Sequence, residues 1–384
     1  MDTKHTDRRT FLKSSLSTAA IAAAPLVLTA RKGDAAQAQG AAAQPGAEPR
    51  IRFAAIGLNH GHINGQCDAV IRGGGELVAF FAKEPELVEA FQKRYPQAKL
   101  ARSEKEILED DKVKLVASAS IPSDRAPLGL EVMRHGKDFM VDKPGITTLA
   151  QLAEVRKVQA ETRRIYSITY SERFENRATV KAGELVKAGA IGRVIQTIGL
   201  GPHRMSPKTR PAWFFERERY GGILCDIASH QFDQFLFFTG SGKAEVLASQ
   251  VGNVSHPEYP GLEDFGDVML RGSGGSGYIR VDWFTPDGLS TWGDGRLTIL
   301  GTDGFIEIRK NVDIAGREGG SHLFLVDQKE TRYIDCKDVP LPFAGKLIDD
   351  VLHRTETSMP QTHVFLAMEL ALTAEKNAQK VKLT

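Results

Sequence analysis

The chain has 384 residues, 41% hydrophobic and 26% charged, with a formal net charge of +2. That length exceeds one average domain and predicts two, each large enough to bury its own core. The near-neutral balance excludes a basic nucleic-acid footprint, and three widely spaced cysteines, Cys67, Cys225 and Cys336, exclude a disulfide scaffold and supply no metal-type pair.

The N-terminal stretch reads as a processing segment and not as part of a fold. Asp7-Arg8-Arg9-Thr10-Phe11-Leu12-Lys13 resembles a twin-arginine export signal. The mildly apolar run from Leu16 to Ala30 is too short and too rich in Ala and Ser to span a membrane. Ala36-Gln37-Ala38 is a small-residue cleavage candidate. Residues 1–38 hold six Lys/Arg and three Asp/Glu, so their removal takes the charge from +2 to −1. The expectation is export of a folded protein by the twin-arginine translocation machinery to the periplasm, with residues 39–50 a disordered Ala/Gln/Gly/Pro-rich linker.

From Ile51 short apolar runs alternate with helix-like segments, the rhythm of a parallel sheet with helical crossovers. Strands are expected at Ile51–Gly57, Glu76–Ala82, Val113–Ser118, Lys137–Val141 and Ile165–Tyr170, with helices at Glu84–Arg94, Asp124–His135 and Leu149–Arg163. The boundary falls near Ser171, giving a dinucleotide-binding domain over 51–170 and a substrate-binding and oligomerisation domain over 171–384. After a helix from Phe174 to Ala188, strand candidates are Val194–Leu200, Lys243–Val254, Phe265–Leu270, Gly277–Phe284, Arg296–Leu300, Phe305–Arg309 and His322–Val326. Gly301-Thr302-Asp303-Gly304 reads as a hairpin turn, and Phe365, Met368 and Leu372 as the core stripe of a helix. The fold class is α/β: an N-terminal Rossmann doubly wound parallel sheet, then an α+β domain with an open, mainly antiparallel sheet and helices on one face. Such an open face suggests a homo-oligomer.

Three segments carry chemistry. Gly57-Leu58-Asn59-His60-Gly61-His62 sits at the first strand-to-helix turn, where backbone N–H groups meet a pyrophosphate in dinucleotide sites. Only the first glycine of G-x-G-x-x-G is present; Asn59 and His62 occupy the other two positions and Gly61 is displaced by one. On these residues alone a plain turn and a nucleotide turn both stay open. Asp142-Lys143-Pro144 ends an apolar strand. Gly221-Gly222-Ile223-Leu224-Cys225-Asp226-Ile227-Ala228-Ser229-His230-Gln231-Phe232-Asp233 opens a helix expected to run from Leu224 to Phe238. On one helix, Asp226 and His230 would share a face, the carboxylate raising and orienting the imidazole, with Asp233 one turn on.

In that order and spacing the three segments resemble the Gfo/Idh/MocA oxidoreductases. The resemblance covers nearly all of residues 51–384. It implies NADP or NAD as cofactor, with Lys143 hydrogen-bonding the reacting hydroxyl, His230 as acid/base and Asp226 orienting it. Asp142 stands where the family has Glu, one methylene shorter. Burial and a second cation would move Lys143 toward its neutral form, and Pro144 would fix the backbone just past it. Gly57, Asn59, His60, Gly61, His62, Pro122, Asp142, Lys143 and Pro144 are the expected cofactor contacts. At the end of the second strand Ala82 occupies the place of the ribose-binding carboxylate and Lys83 follows it, which removes repulsion against a 2′-phosphate, makes NADP at least as well suited as NAD and adds Lys83 to that set.

Trp213, with His203, Arg204 and Arg210, suits stacking and hydrogen bonding to a carbohydrate. Tyr170, Glu172 and Arg173 are further substrate candidates, beside Asp226 and His230. No metal is expected, since apart from His60 and His62, which the nucleotide turn explains, no histidine pair has zinc-ligand spacing. The expected activity is oxidation of a secondary hydroxyl of a sugar, sugar acid or cyclitol by a tightly held cofactor. Two alternatives stay open: redox-neutral glycoside cleavage through transient oxidation, and a non-catalytic carbohydrate-binding relative that has lost the cofactor.

Overall fold

The computed structural model describes residues 48–381. The export signal, its cleavage site and most of the expected linker lie outside the described residues.

The first sheet is built as the apolar runs require. β1 (Ile51–Ile56), α1 (His62–Arg72), β2 (Gly75–Phe81), α2 (Pro85–Arg94), β3 (Lys99–Leu100), α3 (Glu104–Leu108), β4 (Val113–Ser118), α4 (Pro122–Arg134), β5 (Asp138–Asp142), α5 (Leu149–Thr162) and β6 (Tyr166–Thr169) follow in order. The six strands are all parallel in the order β3-β2-β1-β4-β5-β6. Phe53, Leu115, Phe139 and Tyr166 are fully buried on adjacent strands, as expected of a parallel sheet covered on both faces. The strand order reverses between β1 and β4, where doubly wound sheets bind ligands.

The chain then forms α6 (Ser171–Phe174), α7 (Arg177–Lys187), β7 (Val194–Pro202), α8 (Arg217–Tyr220), α9 (Ile223–Asp226) and α10 (Ser229–Thr239). Next come β8 (Ala244–Gly252), β9 (Phe265–Gly272), β10 (Ser276–Asp282), β11 (Arg296–Gly301), β12 (Gly304–Arg309), β13 (His322–Asp327) and β14 (Thr331–Ile334). α11 (Phe343–His353), α12 (Gln361–Asn377) and β15 (Gln379–Lys380) close the described chain. The second sheet has nine strands, β14-β13-β12-β11-β7-β10-β9-β8-β15, with β7–β10 and β8–β15 parallel and the other pairs antiparallel. α10 and α12 cover one face. Gly199 and Gly277 permit that approach, because a Cβ at either would strike Gln231 or Phe235 of α10 at 2.7–2.8 Å.

Two expected helices are broken. The one from Phe174 to Ala188 is α6 and α7, with Asn176 capping α7 through the Thr179 N–H. The one from Leu224 to Phe238 is α9 and α10, interrupted at Ile227 and Ala228.

Candidate active site

The turn after β1 is sewn to the end of β4. His60 N–H donates to Ala119 O, and Ala119 N–H donates to Gly57 O. Gly57 has φ +77°, and a Cβ there would lie 2.5 Å from Ser120 Cβ, so only glycine fits. At the head of α1, Gly61 offers no side-chain cap, and the Gly61 and His62 N–H groups have no acceptor among the described residues. Unpaired amides at a helix N-terminus suit a phosphate group, so the turn fits a dinucleotide despite its lost glycines. His60 and His62 do not point away from the site: both imidazoles face Asp142, at 3.1 and 2.9 Å. Burial, then the neighbouring His62, lowers His60 to about 4, so its imidazole is neutral at pH 7.

The end of β2 departs from the sequence reading. Ala82 is buried and Lys83 is exposed, but a carboxylate is present two residues on. Glu84 Oε1 accepts from Asn59 Nδ2 at 2.7 Å, and Oε2 accepts from Lys83 N–H at 3.1 Å. An anion therefore does sit at the turn, supplied from the start of the following helix where the strand pattern gave no reason to look.

Lys143 is set by a residue the sequence reading passed over. Arg125, on the first turn of α4, is buried. Its guanidinium donates to the carbonyls of Ser120 at 2.7 Å, Lys143 at 2.5 Å and Pro144 at 3.1 Å, and to Asp142 Oδ2 at 3.1 Å. Burial alone would raise Asp142, but His62 and Arg125 hold its carboxyl well below the usual range. The Lys143–Pro144 peptide is cis. In sequence Arg125 looks like one more charged residue of an amphipathic helix; only its place three residues past Pro122 at a strand end marks it.

Asp226 and His230 do not pair. With the helix broken between them, Asp226 turns to Lys143, accepting from Nζ at 2.8 Å, the side chains being 12% and 7% exposed. Burial opposes ionisation of Asp226, yet Lys143 holds it below the ordinary carboxylate range. The closest charged partner of Lys143 is thus an anion and not a second cation. α9 is pinned at its first turn: Ile223 N–H donates to Glu263 Oε2 at 3.0 Å and Leu224 N–H to Glu375 Oε2 at 2.9 Å.

His230 lies fully buried, lowered to about 4 by burial against the opposing charge of Glu172. Its Nδ1 has no partner among the described residues, and the Tyr170 ring meets its edge with centroids 6.2 Å apart. The carboxylate that faces His230 is Glu172, held at about 2 because Lys310 overcomes the cost of its burial. Lys310 Nζ bonds Glu172 directly and donates to Gln234 Oε1 at 3.0 Å. Lys310 follows β12, too far along the chain for any local motif to reveal it.

His60, His62, Arg125, Asp142, Lys143, Glu172, Asp226, His230 and Lys310 line one cavity of about 430 Å³, together with Pro122, Glu175, His203, Arg204, Arg210 and Trp213. All three tryptophans of the chain, Trp213, Trp283 and Trp292, border it. His203 donates from Nδ1 to Gly201 O at 3.1 Å, which leaves Nε2 as an acceptor; burial lowers it to about 3. Arg210 lies over Phe214 and Trp283, 4.5 and 5.1 Å from the ring centroids. Arg204 is spent on the loop carrying Trp292, donating to the carbonyls of Pro286 at 2.8 Å and Leu289 at 2.6 Å. Two substrate candidates fall outside the lining. Tyr170 is completely buried behind His230. Arg173 is buried in a two-pronged pair with Asp233, at 2.6 and 2.7 Å, because a guanidinium in an apolar layer needs a matched carboxylate. Asp233 also meets His363 at 2.8 Å and so serves packing, not His230.

Residues 51–170 match the model of an oxidoreductase family with an NAD-binding Rossmann fold, and residues 179–307 match the GFO/IDH/MocA C-terminal domain. A crystal structure of a protein classed as an oxidoreductase from Erwinia carotovora atroseptica SCRI1043 is 47% identical, with TM-score 0.84 over 86% of this chain and all of that one. The fold is shared with a 3-ketoreductase from Actinomadura kijaniata crystallised with NADP and TDP-benzene, at 14% identity and TM-score 0.69 over 88% of this chain and all of that one. The scyllo-inositol 2-dehydrogenase (NADP(+)) IolW of Bacillus subtilis (strain 168) is 25% identical over 195 residues, 49% of this chain and 53% of that protein. The chain spans about half the length of the curated relatives it matches. It belongs to the Gfo/Idh/MocA family of oxidoreductases, and its cofactor is NADP or NAD.

Proposed function

We propose that this oxidoreductase oxidises a secondary hydroxyl of a sugar, sugar acid or cyclitol, passing hydride from the carbinol carbon to a tightly held NAD(P), in the periplasm after twin-arginine export. The observation that carries the reading is the Lys143–Asp226 pair at 2.8 Å, which joins the end of a Rossmann strand to the second domain beside His230. Bound nicotinamide supplies the hydride acceptor. Lys143 has three N–H donors and Asp226 takes one, leaving others for the substrate hydroxyl. Neutral, water-excluded His230 takes the hydroxyl proton, and Glu172 stabilises the imidazolium that forms. The indole faces suit the C–H faces of a pyranose or cyclitol ring, and the Bacillus relative, a scyllo-inositol 2-dehydrogenase, agrees with that class.

Single-turnover reduction of the bound cofactor by a panel of sugars and inositols, followed by reduced-nicotinamide absorbance, tests the reading. No reduction by any secondary alcohol of the panel sinks it. Export is tested separately: Arg8→Lys with Arg9→Lys should hold the protein in the cytoplasm, and undiminished periplasmic yield refutes that part.

A redox-neutral outcome is favoured by one further feature. His203, fixed by Gly201 O, is a second neutral base in the same cavity, as elimination next to a transient ketone requires. Product analysis separates the two readings, because net oxidation leaves a ketone and the redox-neutral route leaves cleaved glycoside. Homo-oligomer formation is supported by the sheet face away from α10, where Met269, Leu300, Phe305 and Tyr333 are exposed; a monomer by light scattering refutes it.

A further inference from the structure

The turn after β1 carries more than a nucleotide site: we propose that His60, His62 and Asp142 bind a divalent transition-metal ion, on a face open to the cavity. One ligand atom from each lies within 4.8 Å of the other two. His62 Nδ1 is 2.9 Å from Asp142 Oδ1 and His60 Nδ1 is 3.1 Å from Oδ2. Donors bound about 2.0–2.2 Å from a shared ion at near right angles stand about that far apart.

The independent sign is His60. Its Nδ1 is buried and 3.1 Å from Asp142 Oδ2, yet it makes no well-directed hydrogen bond among the described residues. An ion between the three groups satisfies that nitrogen where a direct bond does not. Two imidazoles and one carboxylate with positions left open form a donor set suited to Fe²⁺, Co²⁺ or Zn²⁺, and poorly suited to Mg²⁺ or Ca²⁺. The surroundings are fixed as metal ligands require: Arg125 holds Asp142 from behind and Ala119 O holds the His60 backbone. His60 and His62 alone gave no reason to expect a metal; the third donor comes from a residue 80 positions further on.

Charge says what completes the site. Arg125 and Lys143 are already offset by Asp142 and Asp226, so a dication leaves surplus positive charge. An anionic oxygen entering the cavity would complete the coordination, either from a nucleotide diphosphate or from the ionising substrate hydroxyl. The departure from glycine at His62 then has a chemical purpose: a ligand replaces the close backbone approach that the missing glycine would have given.

The test is Co²⁺ titration of full-length, untagged protein after chelator treatment. The expected result is one equivalent bound with visible d–d bands, bleached by Zn²⁺. His62→Ala, at a side chain 46% exposed, and His60→Ala should each weaken binding at least tenfold, on the order of losses from disturbing a metal site. His135→Ala, at the exposed histidine just past the end of α4, should leave it unchanged. Tightening by NADP⁺ identifies the diphosphate as the added donor, and tightening by a competent sugar identifies the hydroxyl. A spectrum without d–d bands, or equal binding by folded His62→Ala with an unaltered melting curve, overturns the proposal. The readout needs no turnover, so its failure leaves the oxidoreductase reading standing.

Discussion

Replacing Asp226 by Asn probes the pair on which the site turns. Lys143 Nζ would keep an oxygen to donate to but lose its counter-charge while 7% exposed. Breaking a buried ion pair from one side costs about 3–5 kcal/mol, and a retained neutral hydrogen bond returns about 1 kcal/mol, so Asp226→Asn should lose about 2–4 kcal/mol. Urea unfolding followed by circular dichroism measures this directly. Because Asp226 is depressed below the ordinary carboxylate range, its contribution is present above about pH 4 and is lost as pH falls through the folded value. The gap between wild type and Asp226→Asn should therefore close on acidification. Lys143→Met combined with Asp226→Leu removes both charges and should be far milder, neutral or even stabilising by about 1–4 kcal/mol, although turnover is abolished. If Asp226→Asn is as stable as wild type at pH 7, or the double variant is the less stable of the two, the pair does not have the buried character assigned to it.

Hydride transfer should depend on pH through His230: with its value near 4, the base stays competent from neutrality down to about pH 5. A fall centred near 6.5 in single-turnover rates refutes that, and His230→Gln should cost about 10²–10⁴ in rate. Arg125→Met should keep bound nucleotide yet lower kcat by about a hundredfold, the loss expected of a misplaced reacting group; wild-type kcat in the folded variant would show that the clamp is dispensable. Glu84→Gln should raise the NADP⁺ to NAD⁺ affinity ratio more than Lys83→Glu lowers it, since the side chain of Glu84 and not that of Lys83 is tied into the turn. Titration of apo protein with both nucleotides decides it, and an unchanged ratio in Glu84→Gln excludes Glu84 as the selecting charge.

The Rossmann half was legible because its strands are short, continuously apolar and separated by helices, a pattern with few competitors. The second sheet was legible where alternation is clean, as in Phe305–Arg309, and failed at Thr331–Ile334, an exposed edge strand with little apolar content. Lys143, Asp226 and His230 do converge on one cavity. Their partnerships did not follow from spacing, because the helix assumed to carry both Asp226 and His230 breaks between them. Lys310, Trp283 and Trp292 reach the cavity from distant strands and loops, so no window of sequence holds them together. Glu84 is illegible for a different reason: the ribose-site carboxylate is expected at the strand end, while here it enters from the head of the next helix.

The reacting end of the cavity is fixed by buried neighbours. Lys143 is held by Arg125 on α4, Asp226 by α9, whose amides are gripped by Glu263 and Glu375, and Glu172 by Lys310 beyond β12. Each support is buried or nearly so, which is the arrangement that keeps donors and acceptors in place without reorganisation as charge develops. The aromatic end is built differently. Trp292 is 51% exposed, on a loop that Arg204 holds through the Pro286 and Leu289 carbonyls and a pair with the exposed Asp287. If the proposed oxidation is right, a site rigid around Lys143, Asp226 and His230 and open at its aromatic end separates two tasks: the fixed end would set the reaction and the open end the substrate.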